Sequence, residues 1–348
     1  MSHEVMSGAG NSPRNSPPAF EELLKIDVHA HIFDDMPEFA EMVRRIALRV
    51  VNVCVYGNQP ELLVAAEQQA ERIHQKYRPS FYFASTFDLT RRDEPDYAQE
   101  VIAWLDKSFE AGAVMTKIWK EVGMELRTPS GAYLMPDDTL FDSIYGHLAT
   151  RGKPLMSHFA DPIEAWLPLD PGSVNYAYYA NNPEWHVYGR KGFPSHGQII
   201  AACDRVLRKH PQLIMIGAHL GSMEHDLDAL AQRLDRYPNL YVDVSARTPA
   251  LFGQPRRKVR DFFLTYQDRI LYGVDVGEYT PGTIPSREAR MAFTESMERC
   301  YRSDYQFYAG TGRHTVGKSE LECLALPSAV LEKFYHGNAQ RLMPALAA

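Results

Sequence analysis

From residue 23 to residue 275 the chain alternates short apolar runs with longer amphipathic stretches. Eight runs of strand length fall at 23–31, 50–56, 80–87, 113–119, 154–158, 213–219, 240–245 and 269–275, each rich in Val, Ile, Leu or aromatic residues. Near-continuous apolar character suits strands buried on both faces. The stretches between them predict helices at about 37–48, 60–77, 96–109, 137–150 and 195–210, then up to residue 237, and at 256–266. In the second of these, Leu62, Leu63, Ala66, Ala70 and Ile73 recur at helical spacing. Pro37 and Pro60 stand at helix starts, where the missing N–H has no partner to lose. Parallel strands need crossover helices, and eight strand–helix repeats close most simply into a (β/α)8 TIM barrel. A doubly wound open sheet is the competing architecture. It is disfavoured because no Gly-x-Gly-x-x-Gly follows the first run and polar residues end several runs instead of marking one switch point.

The expected organisation is a flexible tail over 1–20, built of Ser, Gly, Asn and Pro, and a single barrel domain over 21–348. A long aromatic and proline-rich insertion follows the fifth strand. A C-terminal helical extension begins after Gly277, with helices near 286–308 and 328–343.

The polar residues that end these runs carry the chemistry. His29 and His31 are one residue apart in the first run, so a strand turns both side chains to the same face. His158, His219 and Asp275 close the fifth, sixth and eighth runs. In a barrel all strand C-termini surround one mouth, so these groups converge. One histidine at a strand end is ordinarily a satisfied turn residue. Four imidazoles and a carboxylate placed this way form a ligand set for Zn2+, with Mn2+, Fe2+ or Co2+ as alternatives.

Composition narrows the partners. The 348 residues are 45% hydrophobic and 11% aromatic, enough for a large core. The net charge of -7, without basic blocks, argues against nucleic acid or an anionic membrane and for a small-molecule substrate. Cys54, Cys203, Cys300 and Cys323 are far apart and form no Cys-x-x-Cys pair, so they are expected to be reduced. No apolar run approaches the roughly 20 residues that span a bilayer. With no signal-like segment at the N-terminus, the expectation is a cytoplasmic enzyme.

Through His29-Ala-His31, His158, Gly217-Ala-His219-Leu-Gly221, Tyr272-Gly-Val-Asp275 and Gly337-Asn-Ala-Gln-Arg341-Leu, the chain resembles the amidohydrolase superfamily. The likeness is to its metal-dependent hydrolase branch, amidohydrolase family 2, which also holds aminocarboxymuconate-semialdehyde decarboxylase and the resorcylate decarboxylases. The resemblance implies a barrel in which His29, His31, His158 and Asp275 bind a metal, while His219 contacts the metal-bound water or the substrate. Lys117 lies near the end of the fourth strand, where binuclear relatives carry a carboxylated lysine. It is open to three readings: a carbamate bridging two ions, an ammonium binding an anionic substrate, or a structural ion pair. One ion is expected, two if Lys117 is carboxylated, and a homodimer is possible by analogy.

The reaction this implies is hydrolysis of a C–O or C–N bond in a small cyclic or acyl, carboxylate-bearing substrate by a metal-activated water. Asp275 would relay the proton and His219 would polarise the carbonyl, with Lys117 as a further catalytic candidate. The alternative is non-oxidative decarboxylation of an aromatic or enoic acid on the same residues. Substrate contacts are expected from Trp119, Lys120 and Arg127 after the fourth strand, and from Trp166 and His186 among the aromatics of the insertion. Arg247, after the seventh strand, is a candidate carboxylate clamp unless it pairs with an acid such as Asp243.

Overall fold

The structure, a computed structural model, describes residues 17–278, 282–284, 286–316 and 319–347. Its strands are β1 (Lys25–Ile32), β2 (Leu48–Val53), β3 (Phe81–Ser85), β4 (Ala113–Ile118), β5 (Leu155–Ser157), β6 (Met215–Gly217), β7 (Leu240–Asp243), β8 (Ile270–Leu271) and β9 (Val276–Glu278). They pair in parallel as one nine-stranded sheet in the order β8-β7-β6-β5-β4-β3-β2-β1-β9. β8 and β9 are two pieces of one run. β8 pairs with β7 at Val242↔Ile270, and β9 pairs with β1 at Ala30↔Val276. Between the pieces, the Val28 N–H donates to the Tyr272 carbonyl at 3.0 Å and the Asp275 N–H to the His29 carbonyl at 2.7 Å. The first and last staves therefore share backbone hydrogen bonds, and the eight predicted runs form a closed barrel. The eighth run breaks at Asp275, whose φ of 58° leaves the pleat.

The crossover helices are α1 (Pro37–Arg45), α2 (Pro60–Lys76), α3 (Tyr97–Ala111), α4 (Asp142–Thr150), α5 (His196–Lys209), α6 (Leu227–Arg236) and α7 (Arg256–Thr265). α2 buries Leu63, Ala66, Ala70 and Ile73, the stripe its sequence predicts. α5 starts on a reciprocal cap in which Ser195 and Gln198 exchange side-chain and backbone hydrogen bonds. Leu48, expected at the end of the first helix, instead opens β2, because the chain reverses at Ala47 with a φ of 51°.

Ile26, Val28, Val51, Met115, Met156, Ile216 and Leu271 fill the barrel together with the C-terminal Leu342, Met343 and Leu346. The Leu346 carbonyl accepts from Arg49 at the start of β2, so the C-terminus plugs the end of the barrel where strands begin. The mouth where strands end is left for chemistry.

The extension carries α8 (Arg287–Ala309) and, unforeseen, an antiparallel hairpin of Arg313–Val316 with Ser319–Glu322. Its strands read Arg-His-Thr-Val and Ser-Glu-Leu-Glu, too polar to announce themselves. Residues 1–16 of the expected tail lie outside the described residues. Phe20, near that tail's end, is buried, with its ring 5.4 Å from that of Tyr305. No helix among the described residues is long and apolar enough to cross a membrane.

Candidate metal centre

β1 carries His29 and His31 to the mouth on one face, with ring centroids 5.4 Å apart. Each ring is pinned through Nδ1: His29 by Asp243 Oδ2 at 3.0 Å and His31 by the Val53 carbonyl at 2.8 Å. His219 is pinned by the Ser245 carbonyl at 2.9 Å. All three partners are acceptors, so Nδ1 holds the hydrogen and Nε2 presents a lone pair. Those lone pairs converge on Asp275. Its Oδ1 lies 3.1 Å from His31 Nε2 and 3.5 Å from His29 Nε2, and its Oδ2 lies 3.8 Å from His219 Nε2. Ligand atoms of His29, His219 and Asp275 all lie within 4.8 Å of one another.

Lone pairs facing a carboxylate repel unless a cation stands among them. Two ligands ~2.1 Å from a tetrahedral ion are roughly 3.4 Å apart, close to these separations. The donor set therefore fits a divalent metal. Burial lowers the pKa of His31 and holds those of His158 and His219 well below the usual imidazole value, which keeps the rings in the neutral, metal-binding form. Burial alone would raise the pKa of Asp275, but His29, His219 and His31 around it hold the carboxyl well below its usual range.

Backbone strain accompanies the site. His219, Leu220, Gly221 and Ser222 all have φ between 56° and 59°, a left-handed turn straight after β6. Such a conformation costs about 1–2 kcal/mol per non-glycine residue. It is held by Asp243 Oδ1, which accepts the His219 N–H at 2.8 Å, and by Ser222 Oγ, which accepts the Ala160 N–H at 2.9 Å. A Cβ on Gly217 would meet the Gly221 Cα at 3.0 Å, so the turn needs Gly there. A Cβ on Gly273 would lie 3.1 Å from that of His29, so this glycine lets the last stave pass the first.

In the sequence Asp243 presents itself only as a potential partner of Arg247. It is fully buried and joins three staves: Oδ2 holds His29, while Oδ1 accepts from the His219 N–H, the Ser245 N–H and, at 2.6 Å, the Ser245 hydroxyl. Burial opposes its ionisation, yet His29 and these donors outweigh that and hold its pKa below the usual value. Its position at the end of β7 was the available signal.

His158 stands beside this group, edge-on to His219 at 4.6 Å. Its Nε2 is buried without a hydrogen bond, 3.3 Å from Asp161 Oδ1. Lys117 is buried on β4 with its amine lacking a hydrogen bond, and no carboxylate among the described residues pairs with it at ion-pair distance. Burial pushes its pKa down to about 8 against the pull of Asp243, Asp275 and Glu121.

A cavity of about 620 Å³ opens over these groups. Trp119, Lys120 and Arg247 line it, as do Tyr56, Asn58 and Gln59 after β2, which carried no sequence signal. The insertion contributes Asn175, Tyr178, Asn182 and Trp185 as a roof. Arg247 Nε faces Glu224 Oε1 at 3.2 Å, not Asp243.

Three expected pocket residues lie elsewhere. Arg127 stacks on Tyr133 at 3.9 Å and donates to the Gly131 carbonyl, lining a separate groove. Trp166 donates to the Pro194 carbonyl at 2.8 Å and packs edge-on to His196. His186 bonds the Leu167 carbonyl at 2.9 Å. Each spends its polar group fastening its own loop. A second groove of about 650 Å³, lined by Leu167, Leu169, Tyr176 and Glu224, carries no comparable cluster among the described residues.

A family profile described as amidohydrolase matches residues 26–344. No curated protein matches the chain. Among solved structures it is similar to an uncharacterized TIM-barrel protein from Bordetella bronchiseptica, at 16% identity and a TM-score of 0.52 over 94% of this chain and 100% of that one. It is also similar to 4-oxalomesaconate hydratase from Rhodopseudomonas palustris, at 14% identity and a TM-score of 0.52 over 93% and 97% of the two chains. A 2,6-dihydroxybenzoate decarboxylase solved with 2,6-dihydroxybenzoate is similar at 14% identity and a TM-score of 0.51 over 92% and 99%. At these identities the likenesses show the fold.

Proposed function

The chain belongs to the amidohydrolase family, and on that premise we propose that it is a metal-dependent hydrolase cleaving a C–O or C–N bond of a small cyclic or acyl substrate that carries a carboxylate. The observation that supports this most is the convergence of His29, His31, His219 and Asp275 on one point, with each imidazole's Nδ1 already committed. His29, His31, Asp275 and the unbonded Nε2 of His158 would hold the ion, Zn2+ or alternatively Mn2+, Fe2+ or Co2+. Such an ion supplies Lewis acidity, making water acidic enough to ionise near neutral pH and polarising a carbonyl.

The chain's own groups supply the rest. Asp275, ionised among the imidazoles, accepts the proton of the attacking water and returns it to the leaving group. His219 donates its Nδ1–H to the Ser245 carbonyl, so Nε2 is an acceptor that orients water; it steadies an oxyanion only after taking a proton. Arg247 lines the cavity; its Nε faces Glu224 and its Nη1 donates to the Ala246 carbonyl, so the guanidinium N–H groups beyond these two contacts bind the substrate carboxylate, and Trp119 and Trp185, edge-to-face at 5.5 Å, wall in a flat ring. Among the described residues Lys117 makes no ion pair, and burial lowers its pKa to about 8, toward the neutral amine that carbamate formation requires.

Elemental analysis of the purified protein and of Lys117→Ala tests the ion count. One ion in both supports a mononuclear centre, and two falling to one or none supports a bridging carbamate. Turnover in 18O-labelled water tests the reaction: label in the organic product supports hydrolysis, and CO2 release with an unlabelled organic product supports the decarboxylase alternative.

A further inference from the structure

Lys120, expected from the sequence to bind a substrate anion, has no donor left to do so. An ammonium has three N–H groups. Nζ makes contacts with Asp161 Oδ1 at 2.9 Å and Oδ2 at 3.0 Å, and donates to the Tyr178 hydroxyl at 2.7 Å. The Trp185 ring lies 3.9 Å beneath it, and both Lys120 and Asp161 are buried. Asp161 is the acid whose Oδ1 stands 3.3 Å from His158 Nε2. A neutral imidazole carries one hydrogen, on either nitrogen. If a carboxylate claims it at Nε2, that atom has no lone pair for an ion.

We propose that Lys120 is a positioning residue. By fixing both oxygens of Asp161, it holds that carboxylate where Oδ1, 3.3 Å from His158 Nε2, makes no hydrogen bond to it and does not capture its hydrogen. It also makes the histidine's availability depend on the roof, because Tyr178 and Trp185, which hold the ammonium, come from the insertion. This rests on the reading of His158 as a ligand. The arrangement links three parts of the chain, namely the loop after β4, the acid three residues past His158, and the lid over the cavity. Asp161 thereby gains a role that no spacing in the sequence marks.

The test is Co2+ and Zn2+ affinity by chelator competition, with the Co2+ visible spectrum as a second readout, on the parent, Lys120→Met, Lys120→Met/Asp161→Ala and Tyr178→Phe. Removing partners that orient metal ligands typically costs 10–100-fold in affinity. Lys120→Met is expected to weaken binding at least tenfold with an altered Co2+ spectrum. The double variant, which removes the competing carboxylate as well, should recover most of that loss. Tyr178→Phe, a single hydroxyl on a partly exposed residue that leaves folding intact, should weaken binding a few-fold. Parent-like affinity and spectrum in both Lys120→Met and Tyr178→Phe would overturn the proposal. So would a double variant no tighter than Lys120→Met, since a merely structural lysine is not rescued by deleting its partner. Should Lys120→Met not fold, Tyr178→Phe alone decides. A parent that binds no metal would instead remove the reading on which the proposal rests, and His29→Ala serves as the control for it.

Discussion

Replacing Asp243 by Asn keeps its shape and changes which of its atoms accept hydrogen bonds. The aspartate accepts at both oxygens: Oδ1 from the His219 N–H, the Ser245 N–H and the Ser245 hydroxyl, and Oδ2 from His29 Nδ1. A carboxamide has one acceptor atom, and three donors fix it at the Oδ1 position. Its NH2 then faces His29 Nδ1, donor against donor. His29 relieves the clash by moving its hydrogen to Nε2, the atom 3.5 Å from Asp275 Oδ1 whose lone pair an ion needs. The same logic, a wrong tautomer imposed by an Asp→Asn change next to a catalytic histidine, underlies the large loss in the serine-protease triad. Losing a partner that orients a metal-binding imidazole typically costs 10–100-fold in metal affinity, about 1.4–2.7 kcal/mol. Asp243→Asn is therefore expected to bind Zn2+ or Co2+ 10–100-fold more weakly in chelator competition while keeping the parent's far-ultraviolet circular dichroism. Parent-like affinity in a folded variant would refute the tautomer argument.

Removing the Ser245 hydroxyl, which lies 2.9 Å from His29 Nδ1 and 3.0 Å from His219 Nδ1, should loosen both rings; Ser245→Ala is expected to lose a few-fold in metal affinity by the same assay. Arg247→Met should raise KM for a carboxylate substrate by one to two orders of magnitude with a smaller change in kcat, and an equal loss in both would assign it to the chemical step. Arg127→Ala and His186→Ala should leave kcat/KM within about twofold, because neither side chain reaches the mouth. Burial pushes the carboxyls of Asp27, Glu67 and Asp304 up to about 7, so the folded state holds protons that the unfolded chain releases. Their contribution is complete below the unfolded carboxyl values and is lost as pH rises through about 7, a falling slope that the buried imidazoles of His31, His158 and His219 oppose, so urea denaturation of the metal-free protein reads it as the difference between parent and variant from pH 5 to 7. Asp304→Asn, which keeps an acceptor for the Tyr272 hydroxyl, should flatten that slope, and an unchanged slope would count against a buried neutral Asp304.

What the sequence disclosed follows from which periodicities survive folding. His29 and His31 were readable as a pair because a strand's period of two holds whatever packs against it. His219 and Asp275 were readable because each ends an apolar run, and strand ends gather at a barrel mouth wherever the intervening helices lie. Loops keep no such period. Arg127 and His186 follow strands as Lys120 and Trp185 do, yet the first pair bond carbonyls of their own loops while the second pair meet over the cavity. Asp243 is the more instructive miss. Four residues of separation suggested a partner in Arg247, but the side chain of a strand's last residue turns into the barrel, and there it found His29, 214 positions away. The groups that converge at this mouth were therefore legible, while the groups that set their tautomers were not. A ligand is placed by its own strand, whereas its orienting partner is placed by the closure of all eight staves. The left-handed turn at His219–Ser222 shows the same division: Gly217 and Gly221 mark it in the sequence, but the acid that sustains its strain belongs to the next stave. The orientation of His29 and His219 at this mouth accordingly depends on Asp243 and Ser245.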